Sequence, residues 1–204
     1  MFRDVSECFV FSVGCLGIKV QRHDKLNHYS FLKPTKYTQM VELTIKKRHA
    51  IKKSQLASLM QKLTENIGED AALYNAPMIE IAETSSKFNI YIIDKKPLVM
   101  EQDTWAFPTL RGAVLRPFSG RSIIVDMGAV PYMINGADVM RPGIVSVTED
   151  VSAGNPALVV DENHGKPLAV VIPMYDAAGI IALEKGKAAK TIHYIGDELW
   201  NLEL

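Results

Sequence analysis

Apolar residues follow two different rhythms along this chain. Between Ser54 and Gly68 they recur at helical spacing, with Leu56, Leu59, Met60, Leu63 and Ile67 on one face. Ser54 is the predicted N-cap, and Gly68 stands just past the helix end, where glycine is favoured. The stripe reads as core-facing rather than as a partner-binding surface. Elsewhere apolar positions alternate or form short blocks. Val41 to Ile45, Met78 to Glu83, Phe88 to Ile93 and Pro97 to Met100 read as strands, with turns at Thr84-Ser85-Ser86 and Asp94-Lys95-Lys96-Pro97. One helix with an antiparallel sheet makes a compact α+β unit of about 70 residues. Residues 104–120, with Pro108, Gly112, Pro117 and Gly120, read as its connection to a second unit.

In that second unit the pattern changes to short strands at Arg121–Val125, Ile144–Thr148, Ala157–Val160, Leu168–Ile172 and Thr191–Tyr194. Turns are expected at Ser152–Asn155, Asn163–Lys166 and Gly186. Many short strands between glycine-bearing turns predict a small barrel, which closes its own edges. The domain reading is therefore residues 40–118 for the α+β unit with its linker and 119–204 for the barrel.

Residues 125–146, VDMGAVPYMINGADVMRPGIVS, interrupt the strand pattern. Gly128 turns the chain out of a strand, and Ala129 to Asn135 have room for about two helical turns. Asn135-Gly136 reads as a left-handed helix end. Arg141-Pro142-Gly143 breaks the next strand as it starts. The result is a helix beside a strand, with backbone exposed where glycines carry no side chain.

Charge alters this picture. The formal net charge is zero over 204 residues, which alone argues against a nucleic-acid binder. Locally, residues 1–39 hold 6 basic and 3 acidic residues, 40–118 hold 11 and 9, and 119–204 hold 6 and 11. The barrel is thus acidic, while KKRHAIKK, from Lys46 to Lys53, carries five Lys or Arg in eight residues. That run (Lys46, Lys47, Arg48, Lys52 and Lys53) is either a solvated helix start or a phosphate-docking surface. Cys8 and Cys15 fit no zinc motif, and a cytosolic chain without structural disulfides is expected. No apolar run reaches the ~20 residues of a membrane span, and Asp4 and Glu7 spoil a secretory n-region before Phe9 to Val20. Residues 1–39 read as an extension or as the product of a start assigned upstream of Met40; the second is preferred, and then they carry no function.

Catalytic chemistry is not evident. There is no G-x-S-x-G and no phosphate loop of the G-x-x-x-x-G-K-[ST] type, and no His/Cys/Asp cluster has metal-ligand spacing. His23, His28, His49, His164 and His193 are scattered, and His193 is expected to pack or hydrogen-bond. Asp126 reads as a helix cap and Asp138 as a turn residue. Neither an enzyme, a metal nor a cofactor is expected.

The run 125–146 resembles the glycine motif of the PUA domain, an RNA-binding module. TIHYIGDELW, Thr191 to Trp200, is similar to the closing strand and tail of PUA proteins related to the malignant-T-cell-amplified-sequence translation factors. Phe107-Pro108-Thr109-Leu110-Arg111 resembles the interdomain segment of that family. The resemblance covers roughly residues 40–204. It implies an α+β domain followed by a PUA pseudobarrel, and a cytoplasmic, non-catalytic RNA-binding protein linked to translation. The small ribosomal subunit, rRNA, tRNA or a translation-factor partner are the implied partners, with docking at the basic run. Other classes open are an RNA-delivery subunit for a modification enzyme and a protein-interaction module that touches no RNA. The implied RNA positions are Gly136, Ala137, Asp138, Val139, Met140, Arg141, Pro142 and Gly143. Arg141, the only cation in the motif, is the candidate for a phosphate or base edge. Gly136 would allow close backbone approach, and Tyr132 either stacks on an unpaired base or packs inside the barrel.

Overall fold

The computed structural model describes residues 43–204. The expectations on residues 1–39, with Cys8, Cys15, His23, His28 and the alternative start at Met40, lie outside the described residues, as does Val41.

The first half is built from β1 (Ile45–Ala50), α1 (Lys53–Ile67), a 3-10 helix (Gly68–Tyr74), β2 (Ile79–Thr84), β3 (Asn89–Ile93), β4 (Lys96–Gln102), β5 (Trp105–Pro108) and α2 (Leu110–Leu115). The strands form one antiparallel sheet in chain order, β1-β2-β3-β4-β5. The apolar stripe of α1 faces inward as its spacing demands: Leu59, Leu63 and Ile67 are buried, while Leu56 and Met60 pack at the margin. Burying each such leucine contributes about 1.5–3 kcal/mol.

The helix starts two residues before the expected position. Lys52 is the N-cap, its backbone N–H donating to Gln55 Oε1 at 2.9 Å, and Ser54 is already inside the helix. Gly68 takes φ +60° just past the last turn. The expected strand at Val41–Ile45 is instead β1, so most of the basic run is an edge strand and not a helix start. Lysines suit such an edge, because charge discourages strand addition.

The expected linker 104–120 holds β5 and α2. Thr109 caps α2, with Oγ1 accepting from Gly112 N–H at 3.0 Å and donating to the Pro97 carbonyl at 2.7 Å. Gly112 has a steric reason: a Cβ there would lie 2.1 Å from the Leu98 carbonyl oxygen. α2 presses its backbone onto β4, which only glycine permits.

In the second half come β6 (Ser122–Val125), α3 (Val130–Met133), β7 (Val139–Met140), β8 (Ile144–Val147), β9 (Ala157–Asp161), β10 (Pro167–Pro173), α4 (Ala177–Ala182) and β11 (Lys187–Tyr194). Their sheet runs β7-β11-β10-β9-β6-β8, antiparallel except for the parallel pair β6/β9. Register shifts at Val170/Val171 and Lys187/Ala189 mark irregularities of the kind that bend a sheet. The sheet curls into the expected pseudobarrel around Ile123, Val125, Val159, Val171 and Ile180. β7 and α4 were not evident in the sequence, and α3 is one turn where two were expected.

The core of the first half does not stop at residue 118. Leu158, Val160, Val170 and Leu199 of the barrel half belong to the same buried cluster as Leu59, Ile92 and Phe107. Polar ties cross the junction too: Arg121 Nη2 donates to the Glu65 carbonyl, Ser119 N–H to Asp70, and Arg111 to the Leu202 carbonyl. The two sheets are joined by a continuous core, so their surfaces keep a fixed relation.

Candidate nucleic-acid interface

Asp126 follows β6, and its Oδ1 accepts the Ala129 N–H at 2.8 Å; it closes the turn before α3 and is not the expected cap, since the N-cap is Ala129, without a side-chain bond. The turn closes through Gly136 N–H to the Met133 carbonyl and Ala137 N–H to the Tyr132 carbonyl, both 3.0 Å. Gly136 has φ +76°, the left-handed end expected from Asn135-Gly136. A Cβ there would lie 2.6 Å from Cε1 of Tyr194. What approaches this glycine is therefore the Tyr194 ring. Val139 and Met140 then pair with β11, and Arg141–Gly143 make a 3-10 turn before β8.

This path brings Tyr132, Ala137, Asp138, Val139, Met140, Pro142 and Gly143 around one groove of about 410 Å³, which Asp126, Gly128 and Ala129 also line. Gly136 and Arg141 are not in the lining. Tyr132 is 66% exposed and Met140 49%, so the Tyr132 ring stands at the groove and not inside the barrel. An exposed phenol ring and a thioether flanking a slot of this size offer an apolar seat for a flat, unpaired base.

Arg141 takes a different role from the expected one. Its Nη1 donates to the Ile144 carbonyl at 3.0 Å and its Nη2 to the Ile181 carbonyl at 3.4 Å, and its Nε is buried. Its backbone N–H donates to the Gly186 carbonyl at 2.9 Å. The guanidinium fork faces the protein, tying the turn to β8 and α4.

Asp138 also does more than face a turn. Oδ1 accepts the Thr191 N–H at 2.9 Å, and Oδ2 pairs with Lys187 Nζ at 2.6 Å. Burial pushes its carboxyl up, but the bonds from Lys187 and Thr191 and the charges of Lys187 and Lys190 outweigh this and hold it below the usual carboxylate range. Lys187 and Lys190 are the cations beside the groove, and sequence reasoning missed them. They lie about 50 residues downstream of the glycine motif and reach it only because β11 pairs with β7, Lys187 opposite Met140. A lysine on each side of Gly186 and three residues further on carries no local signal of that pairing.

A second charged surface lies on the first sheet. Lys46 and Lys47 are exposed on β1, and Lys52 and Lys53 are exposed at the start of α1. Arg48 is engaged with Glu80 at 2.6 Å, whereas these four lysines make no ion pair among the described residues. Lys52 and Lys53 stand at the positive end of the helix dipole, and the first turn of α1 has no acidic residue. Such a placement costs roughly 0.3–1 kcal/mol per charge.

A larger cleft of about 830 Å³ lies between α2, β9 and the tail, near Phe118 and Trp200. Its walls are mainly apolar, and the Asp161 carboxylate on its rim already accepts three backbone N–H groups, from Asn163, His164 and Lys166. His193 is 1% exposed, with Nδ1 2.7 Å from Asp197 Oδ2, a hydrogen-bonding role as expected.

Residues 121–195 match the model of the PUA domain. An uncharacterized protein of Methanocaldococcus jannaschii is 36% identical over 165 residues, 79% of this chain and 99% of that protein. Translation machinery-associated protein 20 of Eremothecium gossypii is 30% identical over 158 residues, 74% of this chain and 86% of that protein. The chain belongs to the PUA-domain family of these proteins and of the malignant T-cell-amplified sequences. A hypothetical protein from Pyrococcus horikoshii has the same fold at a TM-score of 0.69 and 30% identity, covering 76% of this PUA protein and 98% of that chain. The PUA domain assigns RNA binding in general terms, and the groove described above lies within residues 121–195.

Proposed function

We propose that this PUA-domain protein is a non-catalytic RNA-binding factor of translation, held on the small ribosomal subunit or on tRNA by two surfaces. The groove of Tyr132, Asp138, Met140 and Pro142 receives unpaired RNA. The lysines of β1 and α1 contact phosphates at a distance from it. The observation that carries this reading is the shared core between the two halves, which fixes both surfaces on one body. A rigid pair of contacts positions a partner without turnover, as a factor rather than a catalyst must. The unfavourable dipole setting of Lys52 and Lys53 supports a functional reason for their charge.

Co-sedimentation of the full chain with purified small ribosomal subunits, across a salt series, tests it. Each lysine that reaches a phosphate contributes roughly 0.7–0.9 to the salt slope, so four of them predict a fall of roughly 50- to 150-fold in affinity between 50 and 200 mM salt. Replacing Lys46, Lys47, Arg48, Lys52 and Lys53 by Gln should remove most of that dependence. Absence of binding at low salt overturns the ribosomal reading and leaves tRNA or a protein partner.

A further inference from the structure

The groove lacks the cation that a motif-centred reading supplies. Arg141 donates through both terminal nitrogens to the carbonyls of Ile144 and Ile181, and its Nε is buried. Both terminal nitrogens are thus tethered to backbone carbonyls, which turns the fork toward the protein and not toward the groove. Two cations stand closer to solvent. Lys187 is opposite Met140 across the β7–β11 pair, and its side chain is 44% exposed. Lys190 is exposed on the same strand, next to Thr191, whose N–H bonds the Asp138 carboxylate. Asp138 lines the groove and anchors Lys187 at 2.6 Å, while its other oxygen is fixed by the Thr191 N–H. Beyond the lining, two lysines thus stand on β11 around a single carboxylate of the groove. Asp126 also lines the groove, and Glu162 accepts the neighbouring Met127 N–H.

We infer that Lys187 and Lys190 supply the phosphate contacts at this groove, and that Arg141 is a positioning residue that holds Met140 and Pro142 in place. The inference rests on the RNA reading of the groove and assigns its chemistry. Phosphates run along the β11 side, and the base enters between Tyr132 and Met140. Asp138 keeps Lys187 at the rim, where an exposed ion pair is weak enough to yield to a phosphate.

The test measures anisotropy of a labelled, unstructured single-stranded RNA of about 12 nucleotides with the full chain across a potassium chloride series. Each phosphate contact on single-stranded RNA contributes about 0.7 to the slope of log K against log salt, so Lys187→Gln with Lys190→Gln should reduce its magnitude by about 1.4. Arg141→Gln should weaken binding while leaving the slope unchanged. The proposal is overturned if the double variant keeps the wild-type slope, or if Arg141→Gln takes about 0.7 from it. Failure of the wild-type chain to bind RNA at any salt overturns the RNA reading itself, and this assignment with it. Both lysines are exposed, so the double variant should melt with the wild type, and that melt separates lost contact from lost fold.

Discussion

Replacing Gly136 by alanine separates a glycine that serves packing from one that serves a ligand. Two costs are expected. The backbone sits at φ +76°, where a side chain costs about 1–2 kcal/mol, less about 0.4–1 kcal/mol regained because alanine restricts the unfolded chain. The new Cβ would also stand 2.6 Å from Cε1 and 2.8 Å from Cζ of Tyr194, so the ring must retreat. Tyr194 packs against the barrel core and moves as a rigid plate, and overpacking of this kind costs about 1–3 kcal/mol. The sum, about 1–5 kcal/mol, lowers Tm by roughly 2–18 °C in a protein of this size. Thermal unfolding followed by circular dichroism measures it. In a Tyr194→Leu background the clash is gone, and Gly136→Ala should then cost only about 1 kcal/mol. Equal costs in the two backgrounds would refute the packing argument. A variant that melts with the wild type yet loses RNA would show that the glycine faces the ligand.

Asp138→Asn removes the one negative charge between Lys187 and Lys190 while keeping an oxygen for the Thr191 N–H. RNA affinity at low salt should rise about two- to fivefold, the worth of an exposed charge pair, and an unchanged or weaker affinity by anisotropy would contradict the assignment. Asp197 should leave a signature in acid. Burial pushes its carboxyl up, but hydrogen bonds from His193 and from the backbone of Trp200 and Tyr194, together with the His193 charge, hold it below the usual range. A depressed folded value stabilises fully above the unfolded value near 4, and that contribution disappears as pH falls through the folded value. Urea unfolding between pH 6 and 2.5 should therefore show a steeper loss in wild type than in Asp197→Asn; coincident slopes would exclude this carboxylate as a source.

Legibility differed from element to element for physical reasons. α1 was evident because five apolar residues at helical spacing have one way to be buried. The groove was evident as a stretch because Asp126, Gly128, Gly136 and Arg141-Pro142-Gly143 act on their own backbone, through caps and turns that need no distant partner. β1 was displaced because an edge strand of lysines has the local pattern of a soluble helix start, and its pairing with β2 is not encoded nearby. β5 and α2 were hidden in Pro- and Gly-bearing sequence whose meaning is tertiary: Gly112 is there for the Leu98 carbonyl.

Local matters follow from the order of residues alone: which segments are apolar on one face, where the chain turns, and the motif that places it among PUA proteins. The roles within the site were decided only by tertiary structure. Arg141 is turned inward by the carbonyls of Ile144 and Ile181, the latter 40 residues away, and Gly136 makes room for Tyr194. Lys187 reaches the groove through Asp138, 49 residues before it. A cation or a glycine announces a capacity, but its partner is chosen by strand pairing across the fold, and that pairing has no signature at the residue itself.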